Sequence, residues 1–261
     1  MILTYRYRVK NRSGELNRMA KSVNAVWNYA CNAQRHAIMW GRRWPTAYDL
    51  HKLTSGAGSD LGLLATTVQA TCTKFERSRR ASKARTLRYR GQRSLGWIPF
   101  RAVGIFRSGE AFVFNKTTYR VAYSRPIPPA AKILDGGSFS QDAGGRWYIN
   151  ICVEVIEFER SLATTERVGI DLGLRELATL SDGRKIENPR LAAKQEARLA
   201  VAQRARKRRR IVAINAKVSN QRRDYLHKTS YRLVGEFGHI VVGNINAAGL
   251  KKTRLAKSVG D

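Results

Sequence analysis

The sequence predicts an α+β multidomain protein: an all-β barrel with a helical unit inserted after its first strand, followed by an α/β domain. Three observations predict it. Apolar residues recur at three- and four-residue steps between about residues 13 and 80, and at two-residue steps from Gly96 to Ile156. From Arg167 onward the signals run strand, strand, short strand, long polar helix, strand. The expected boundaries are 1–10 for the first barrel strand, 11–95 for the helical unit, 96–160 for the rest of the barrel and 165–261 for the α/β domain.

The opening Met1 to Lys10 alternates apolar and polar residues, as a half-buried strand does, and lacks the basic and then apolar regions of a secretory leader. The expectation is an intracellular, cytoplasmic protein. Leu16, Met19, Ala20, Val23, Val26, Trp27, Ala30 and Cys31 form one helical stripe, which predicts a long helix from about Ser13 to Trp40. Gly41 to Pro45 breaks it, a short helix follows from Thr46 to Leu53, and Ser55 to Ser59 reads as a flexible turn. Leu61, Leu64, Ala65, Val68, Cys72 and Phe75 repeat the helical period, and Arg77, Arg79, Arg80, Lys83 and Arg85 make the exit of this helix basic.

Strand-periodic residues then follow in Ile105-Phe106, Phe112 to Phe114, Tyr119 to Tyr123, Ile133-Leu134 and Trp147 to Val155. Ser108-Gly109-Glu110 and Asp142 to Gly145 predict hairpin turns between them. The first strand is a plausible further member of this barrel. Trp97, Phe100, Phe106, Phe112, Phe114, Tyr119, Tyr123 and Trp147 are expected mainly as barrel core, which leaves Trp44 and Tyr89, both flanked by Arg, as better base-stacking candidates.

Val168 to Leu174 places Asp171 at the end of an apolar strand that turns straight into a second strand at Ala178 to Gly183. A third strand near Arg184 to Ile186, a long polar helix and the expected buried strand Ile240-Val241-Val242 complete the order of an RNase H-like domain, which presents its first metal-binding Asp in this way. Arg204, Arg206, Lys207, Arg208, Arg209 and Arg210 put six cations within seven residues. That segment is either a solvated face or a nucleic-acid contact, and mutual repulsion of the cations favours phosphate contact.

Forty-nine Lys and Arg against 19 Asp and Glu give a net charge of +30, and nucleic acid is the default partner of such a field. An anionic membrane is the weaker rival, because no amphipathic segment sets cations beside an apolar anchor and no apolar run approaches the ~20 residues of a span. A hydrophobic content of 43% argues against disorder. Cys31, Cys72 and Cys152 include no C-x-x-C pair, so neither a disulfide framework nor a zinc site can be built from this chain, and Cys31 and Cys72 belong to helix cores. His36, His51, His227 and His239 are scattered and read as structural or surface residues.

Four motifs in order carry a resemblance: Gly169 to Gly173 with Leu180 to Gly183, Asn220 to Lys228, Ile240 to Val242, and Leu255 to Ser258. Together they resemble the transposon-encoded TnpB proteins (the OrfB transposase family), relatives of the type V CRISPR effectors. Leu16 to Arg18 and Val26 to Asn28 are similar to the helical region of that family. The resemblance implies a wedge β-barrel with an inserted helical recognition domain, followed by a RuvC nuclease domain. It also implies a guide RNA and a double-stranded DNA target as partners, with no membrane, and nucleoid association.

Phosphodiester cleavage in such a site needs Mg²⁺ held by several carboxylates. The resemblance assigns the first Asp to Asp171, places the expected Glu where this chain has Gly243, and puts the third Asp beyond a zinc ribbon in a segment that would follow Asp261, which leaves the RuvC-like domain C-terminally incomplete. Asn244 also stands where an acid is usual. Asp171 is then the remnant of a catalytic and metal-binding set, or a strand-end carboxylate capping a turn. Asp182, Glu176, Asp224 and Glu236 are the acids nearby in sequence, and none falls on a family catalytic position.

These residues lead to an RNA-guided DNA-binding protein that is nuclease-deficient, associated with a transposon or domesticated as a repressor. The alternatives are an active metal-dependent RuvC-like endonuclease completed by other carboxylates, and a generic basic RNA-binding protein.

Overall fold

The computed structural model of the chain describes residues 1–82, 86–155, 164–243 and 249. It divides into two compact units, residues 1–157 and 158–261. Lys83, Arg85, Asn244 and Leu255 to Ser258 lie outside the described residues.

In the first unit, β1 (Ile2–Val9) leads into α1 (Ser13–Met39), α2 (Ala47–Leu53), α3 (Ala57–Asp60) and α4 (Ala65–Ala81). Six strands follow: β2 (Trp97–Pro99), β3 (Ile105–Ser108), β4 (Ala111–Phe114), β5 (Thr117–Ala122), β6 (Lys132–Gln141) and β7 (Trp147–Glu154). They assemble with β1 into one seven-stranded sheet of order β2-β6-β7-β1-β5-β4-β3. β1 runs antiparallel to β7 from Ile2↔Glu154 to Arg8↔Tyr148 and also pairs with β5, so the helices are inserted between the first strand and the remainder of its own sheet.

The alternation of β1 explains its central position. Tyr5, Tyr7 and Val9 are buried while Arg6, Arg8 and Lys10 are exposed. The sequence predicts a β-barrel, and the strands form one sheet whose ends, among the described residues, are β2 and β3. β2 is three residues long and ends in Pro99, which has no N–H to extend a ladder and suits an edge. Phe106 corrects an expectation: its neighbour Ile105 takes the inward position, and Phe106 is 62% exposed on the outer side of the edge strand β3.

α1 and α4 follow the predicted stripes, burying Leu16 to Cys31 on one and Val68, Cys72 and Phe75 on the other. α2 begins with a reciprocal cap in which Thr46 Oγ1 accepts from Asp49 N–H and Asp49 Oδ2 accepts from Thr46 N–H. The hydrogen bonds that the Thr46 N–H and hydroxyl both donate to Asp49 Oδ2 hold its carboxyl below the usual carboxylate range. The stretch expected as a flexible turn contains the single-turn helix α3. Gly56, at φ 81°, supplies the left-handed entry, and Gly58 passes so close to the Leu63 carbonyl that a side chain there would collide with it.

Two glycines set how tightly the sheet core closes. A Cβ at Gly137 would overlap the ring of Phe100, and one at Gly96 would overlap the indole of Trp147. Phe100 and Trp147 are each 1% exposed and have nowhere to move. Gly137→Ala is expected to destabilise the chain by ~1–3 kcal/mol, measured as a lower denaturant midpoint at unchanged slope. An unaltered midpoint would show that the packing here is loose.

The second unit contains β8 (Arg167–Leu172), β9 (Glu176–Leu180), β10 (Lys185–Glu187), α5 (Glu196–Arg204), α6 (Arg208–Glu236) and β11 (His239–Val242). The sheet order is β10-β9-β8-β11, with β8, β9 and β10 antiparallel in succession and β11 parallel to β8. The single long helix expected from the sequence is divided at residues 205–207, where Arg206 adopts φ 51°. Val168, Ile170, Ala178, Leu180, Ile186 and Leu233 form a separate small core.

β11 departs from the expectation of a buried strand. It pairs only with β8 and forms the edge of the described sheet, which leaves Val241 71% and Val242 51% exposed.

Both helix cysteines are buried as expected, and burial pushes the Cys31 thiol up to about 11 and raises that of Cys72. Thiolate is the reactive form, so alkylation of the folded chain at mildly alkaline pH is expected to label Cys152 first. Labelling of Cys31 and Cys72 should appear only on unfolding, as mass spectrometry of the labelled peptides would show.

Candidate nucleic-acid interface and carboxylate site

Within the first unit, α4 and the strands β2 and β6 border a cleft of about 410 Å³. Its lining includes His51, Lys74, Arg77, Trp97, Arg101 and Asp135. His51 Nε2 lies 3.0 Å from the Gln69 carbonyl and 3.2 Å from Thr73 Oγ1, so the imidazole is tied to α4. Asp135 accepts from the Ala102 N–H at 2.7 Å and from Arg101 Nε at 3.1 Å, and these bonds, the backbone one foremost, hold its carboxyl below the usual range. Lys74 and Arg77 are exposed at the rim. Three cations above an apolar floor that includes Trp97, Pro99 and Phe100 suit a ligand with both phosphates and flat rings.

Outside the cleft, β1 turns Arg6, Arg8 and Lys10 outward, and Arg120 on β5 is exposed as well. The register sets Arg8 opposite Tyr148 and Arg6 opposite Asn150, with the Arg6 guanidinium 4.0 Å from the Tyr148 ring centroid. This basic face arises from strand alternation, so it leaves no run of cations along the chain by which sequence reasoning could have found it.

The cation runs expected from the sequence separate in three dimensions. Arg77 lines the cleft, while Arg80 is exposed and pairs with Glu76 at 2.6 Å. Arg79 is only 8% exposed, packs beside Trp44 at 5.3 Å and does not present its guanidinium at the surface. In the second unit Arg204, Arg206, Lys207, Arg208, Arg209 and Arg210 are all exposed around the α5–α6 turn. Trp44 and Tyr89 each carry an arginine against the ring, Arg79 on the first and Arg35 at 4.7 Å on the second.

At the end of β8, Asp171 is exposed and no described group donates a hydrogen bond to its carboxylate. The turn beyond it closes through Gly173 N–H and the Leu177 carbonyl, so the carboxylate does not cap it. Gly243 N–H donates to the Ile170 carbonyl at 2.9 Å, and a Cβ on Gly243 would stand 3.6 Å from Asp171 Oδ1. Residue 243 is therefore the neighbour of Asp171 across the parallel ladder.

Three of the four acids near Asp171 in sequence are engaged elsewhere, while Glu176 begins β9 beyond the turn that follows Asp171. Asp182 and Glu236 both pair with Arg184 at 2.8 Å, and Asp224 pairs with Lys228 at 2.7 Å. Asp182 lies beyond Ser181, which meets Gly169, so it sits about 10 Å along β8 from Asp171. Among the described residues no group of three or more His, Cys, Asp or Glu side chains could hold a metal ion. Mg²⁺ requires several oxygen ligands in near-octahedral geometry, and the donors that the described residues bring to Asp171 do not supply them.

Residues 150–254 match the family OrfB_IS605, described as a probable transposase. A Streptomyces pristinaespiralis protein whose name carries the words RNA-guided DNA endonuclease is 37% identical over 155 residues, which cover 54% of this chain and 38% of that protein. The chain is TnpB-like.

A second relative, InsQ of Escherichia coli K-12, bears the same activity in its name and is 30% identical over 121 residues. That match covers 42% of the TnpB-like chain and 30% of InsQ, so the chain spans well under half the length of either curated relative it matches. A Cas12f1 chain solved with sgRNA and target DNA aligns over 95% of this chain and 69% of its own length, at a TM-score of 0.47 and 10% identity. A Cas12f ternary complex aligns over 93% and 64%, at 0.40 and 10%. No helix among the described residues is long and apolar enough to cross a membrane.

Proposed function

We propose that this TnpB-like chain is an RNA-guided DNA-binding protein whose α/β unit is a RuvC-type, RNase H-like domain with an incomplete carboxylate set. In this reading it holds a guide RNA and a double-stranded DNA target and leaves the DNA uncut. It then acts as a transposon-associated binder or a DNA-targeting repressor. The observation that carries the reading is the juxtaposition of Asp171 with Gly243: a strand-end carboxylate faces a neighbour with no side chain at the point where a second ligand would be needed. The strand order β10-β9-β8-β11, with β11 parallel to β8, supports the RNase H-like assignment. The names of the two curated relatives support RNA and DNA as partners, and the net charge of +30 supplies the attraction.

The test is to express the chain with its native flanking DNA, sequence the RNA that copurifies, and add matching DNA with Mg²⁺. Enrichment of one structured RNA, with matched DNA bound and intact, is the expected result. Relative to a complete site, cutting should be slower by at least ~10³-fold, or about 4 kcal/mol less transition-state stabilisation. A random RNA population would return the chain to the generic basic binders.

A second reading, an active endonuclease with ligands drawn from elsewhere, is favoured by one observation: the Asp171 carboxylate is exposed and accepts no hydrogen bond from a described group. Cutting that disappears in Asp171→Ala would establish it.

A further inference from the structure

A polar groove of about 830 Å³ runs between α1 and the segment leading into β2. Asn17, Lys21, Asn24 and Asn28 all line it, and their spacing of four, three and four residues places them on one helix face. Arg90, Gln92, Ser94 and Gln141 complete the polar lining, and no Asp or Glu contributes to it.

Asn17 and Asn24 have fixed orientations. Asn17 Oδ1 lies 3.0 Å from Trp147 Nε1, and Asn24 Oδ1 lies 2.7 Å from Arg90 Nε. Indole and guanidinium nitrogens only donate, so each amide must turn its oxygen to the scaffold and its NH₂ the other way. Neither NH₂ has a partner among the described residues. Asn28 serves a different purpose: it accepts from Arg90 N–H at 2.8 Å and donates to the Arg90 carbonyl at 2.9 Å, which locks the segment in place.

Arg90 is the unusual member. Its guanidinium is held by neutral acceptors, Asn24 Oδ1 and the Leu95 carbonyl, and lies 5.9 Å and 5.6 Å from the ring centroids of Trp27 and Trp97. It forms no ion pair with an acid among the described residues, and burial depresses its pKa. A half-buried cation without a counter-charge gains from an arriving anion. Lys21, exposed one turn from Asn17 and without a bonded partner among the described residues, adds a second charge.

We propose that this groove is a nucleic-acid strand site in which Lys21 and Arg90 take phosphate oxygens and the NH₂ groups of Asn17 and Asn24 donate to phosphate, sugar or base oxygens. The inference rests on nucleic acid being the partner. The shared chemistry is a phosphodiester strand, and the experiment separates RNA from DNA.

The test variant combines Asn17→Asp, Lys21→Gln and Asn24→Asp. Each Asp keeps an oxygen for the Trp147 or Arg90 donor while replacing the groove-facing NH₂ with an acceptor. A control of equal charge change, Arg42→Gln with Lys52→Gln and Lys132→Gln, alters exposed residues that do not line the groove. Binding of the full chain to a labelled oligouridine strand and to a labelled DNA duplex is measured by anisotropy across a salt series.

The groove variant is expected to bind about tenfold or more weakly and to flatten the salt slope by ~1–2, well beyond the control, at a melting midpoint no lower than that of the unmutated chain. Weakening confined to oligouridine assigns the groove to RNA, and weakening confined to the duplex assigns it to DNA. Equal weakening in variant and control overturns the groove while leaving nucleic-acid binding intact, whereas an unmutated chain that binds neither probe overturns both. If the triple variant melts early, Lys21→Glu alone carries the same comparison.

Discussion

Affinity for nucleic acid is expected to fall by ~10³–10⁵-fold between about 50 and about 200 mM salt, because an interface that neutralises roughly 6–10 phosphates releases a comparable number of counterions. The structure offers separate sources for those cations: the cleft rim at Lys74, Arg77 and Arg101, the outward side of β1, and the α5–α6 turn. The turn is the sharpest test. Replacing Arg206, Lys207, Arg208, Arg209 and Arg210 with Gln should reduce the slope of log K against log salt by ~0.9 for each phosphate of duplex DNA that is no longer neutralised. These side chains are exposed and α6 buries only Val218 and Leu233, so the melting midpoint should hardly change. An unaltered slope would make the turn a solvated face. Weak salt dependence of the unmutated chain would remove polyanion binding as its function.

The second large effect is expected at Gly243. Its φ lies outside the left-handed region and a Cβ there meets Asp171 Oδ1 at the ordinary van der Waals distance of 3.6 Å, so the backbone tolerates a side chain. Gly243→Glu would place a second carboxylate beside the first, and two like charges so close destabilise each other until a cation arrives. Added Mn²⁺ should therefore raise the melting midpoint of the variant and leave the unmutated chain unmoved. The stabilisation approaches about 2.7 kcal/mol at roughly 100 times the dissociation constant. Double replacement with Asp171→Ala should abolish the response. An equal response from the unmutated chain would show that Gly243 is not the missing ligand position.

The helices of the first unit were legible because their apolar residues recur at the helical period. α1 and α4 bury the stripes that run from Leu16 to Cys31 and from Val68 to Phe75. Strand alternation likewise revealed β1 and the core faces of β4, β5 and β7. α3 was hidden because Gly56 and Gly58, which signal a loop in isolation, here supply a left-handed entry and a close backbone approach. The exposure of Phe106 and Val241 was hidden too, since apolar identity does not say whether a strand lies at the middle or the edge of its sheet.

For the candidate sites the division is similar. Charge and motif order pointed to a polyanion partner and to the pair Asp171 and Gly243, because those depend on residue identity and on periodicity along the chain. Three-dimensional pairing decided the rest. The register of β8 and β11 set residue 243 against the Asp171 carboxylate, and ion pairs with Arg184 and Lys228 engaged Asp182, Glu236 and Asp224. Packing also drew Arg79 inward beside Trp44 while Arg80, its neighbour in the chain, stayed in solvent. The amide stripe of α1 acquired its meaning only when Trp147 and Arg90, far away in sequence, oriented Asn17 and Asn24. Local periodicity is written in neighbouring residues, whereas a site is made by hydrogen bonds and packing between residues that only folding brings together.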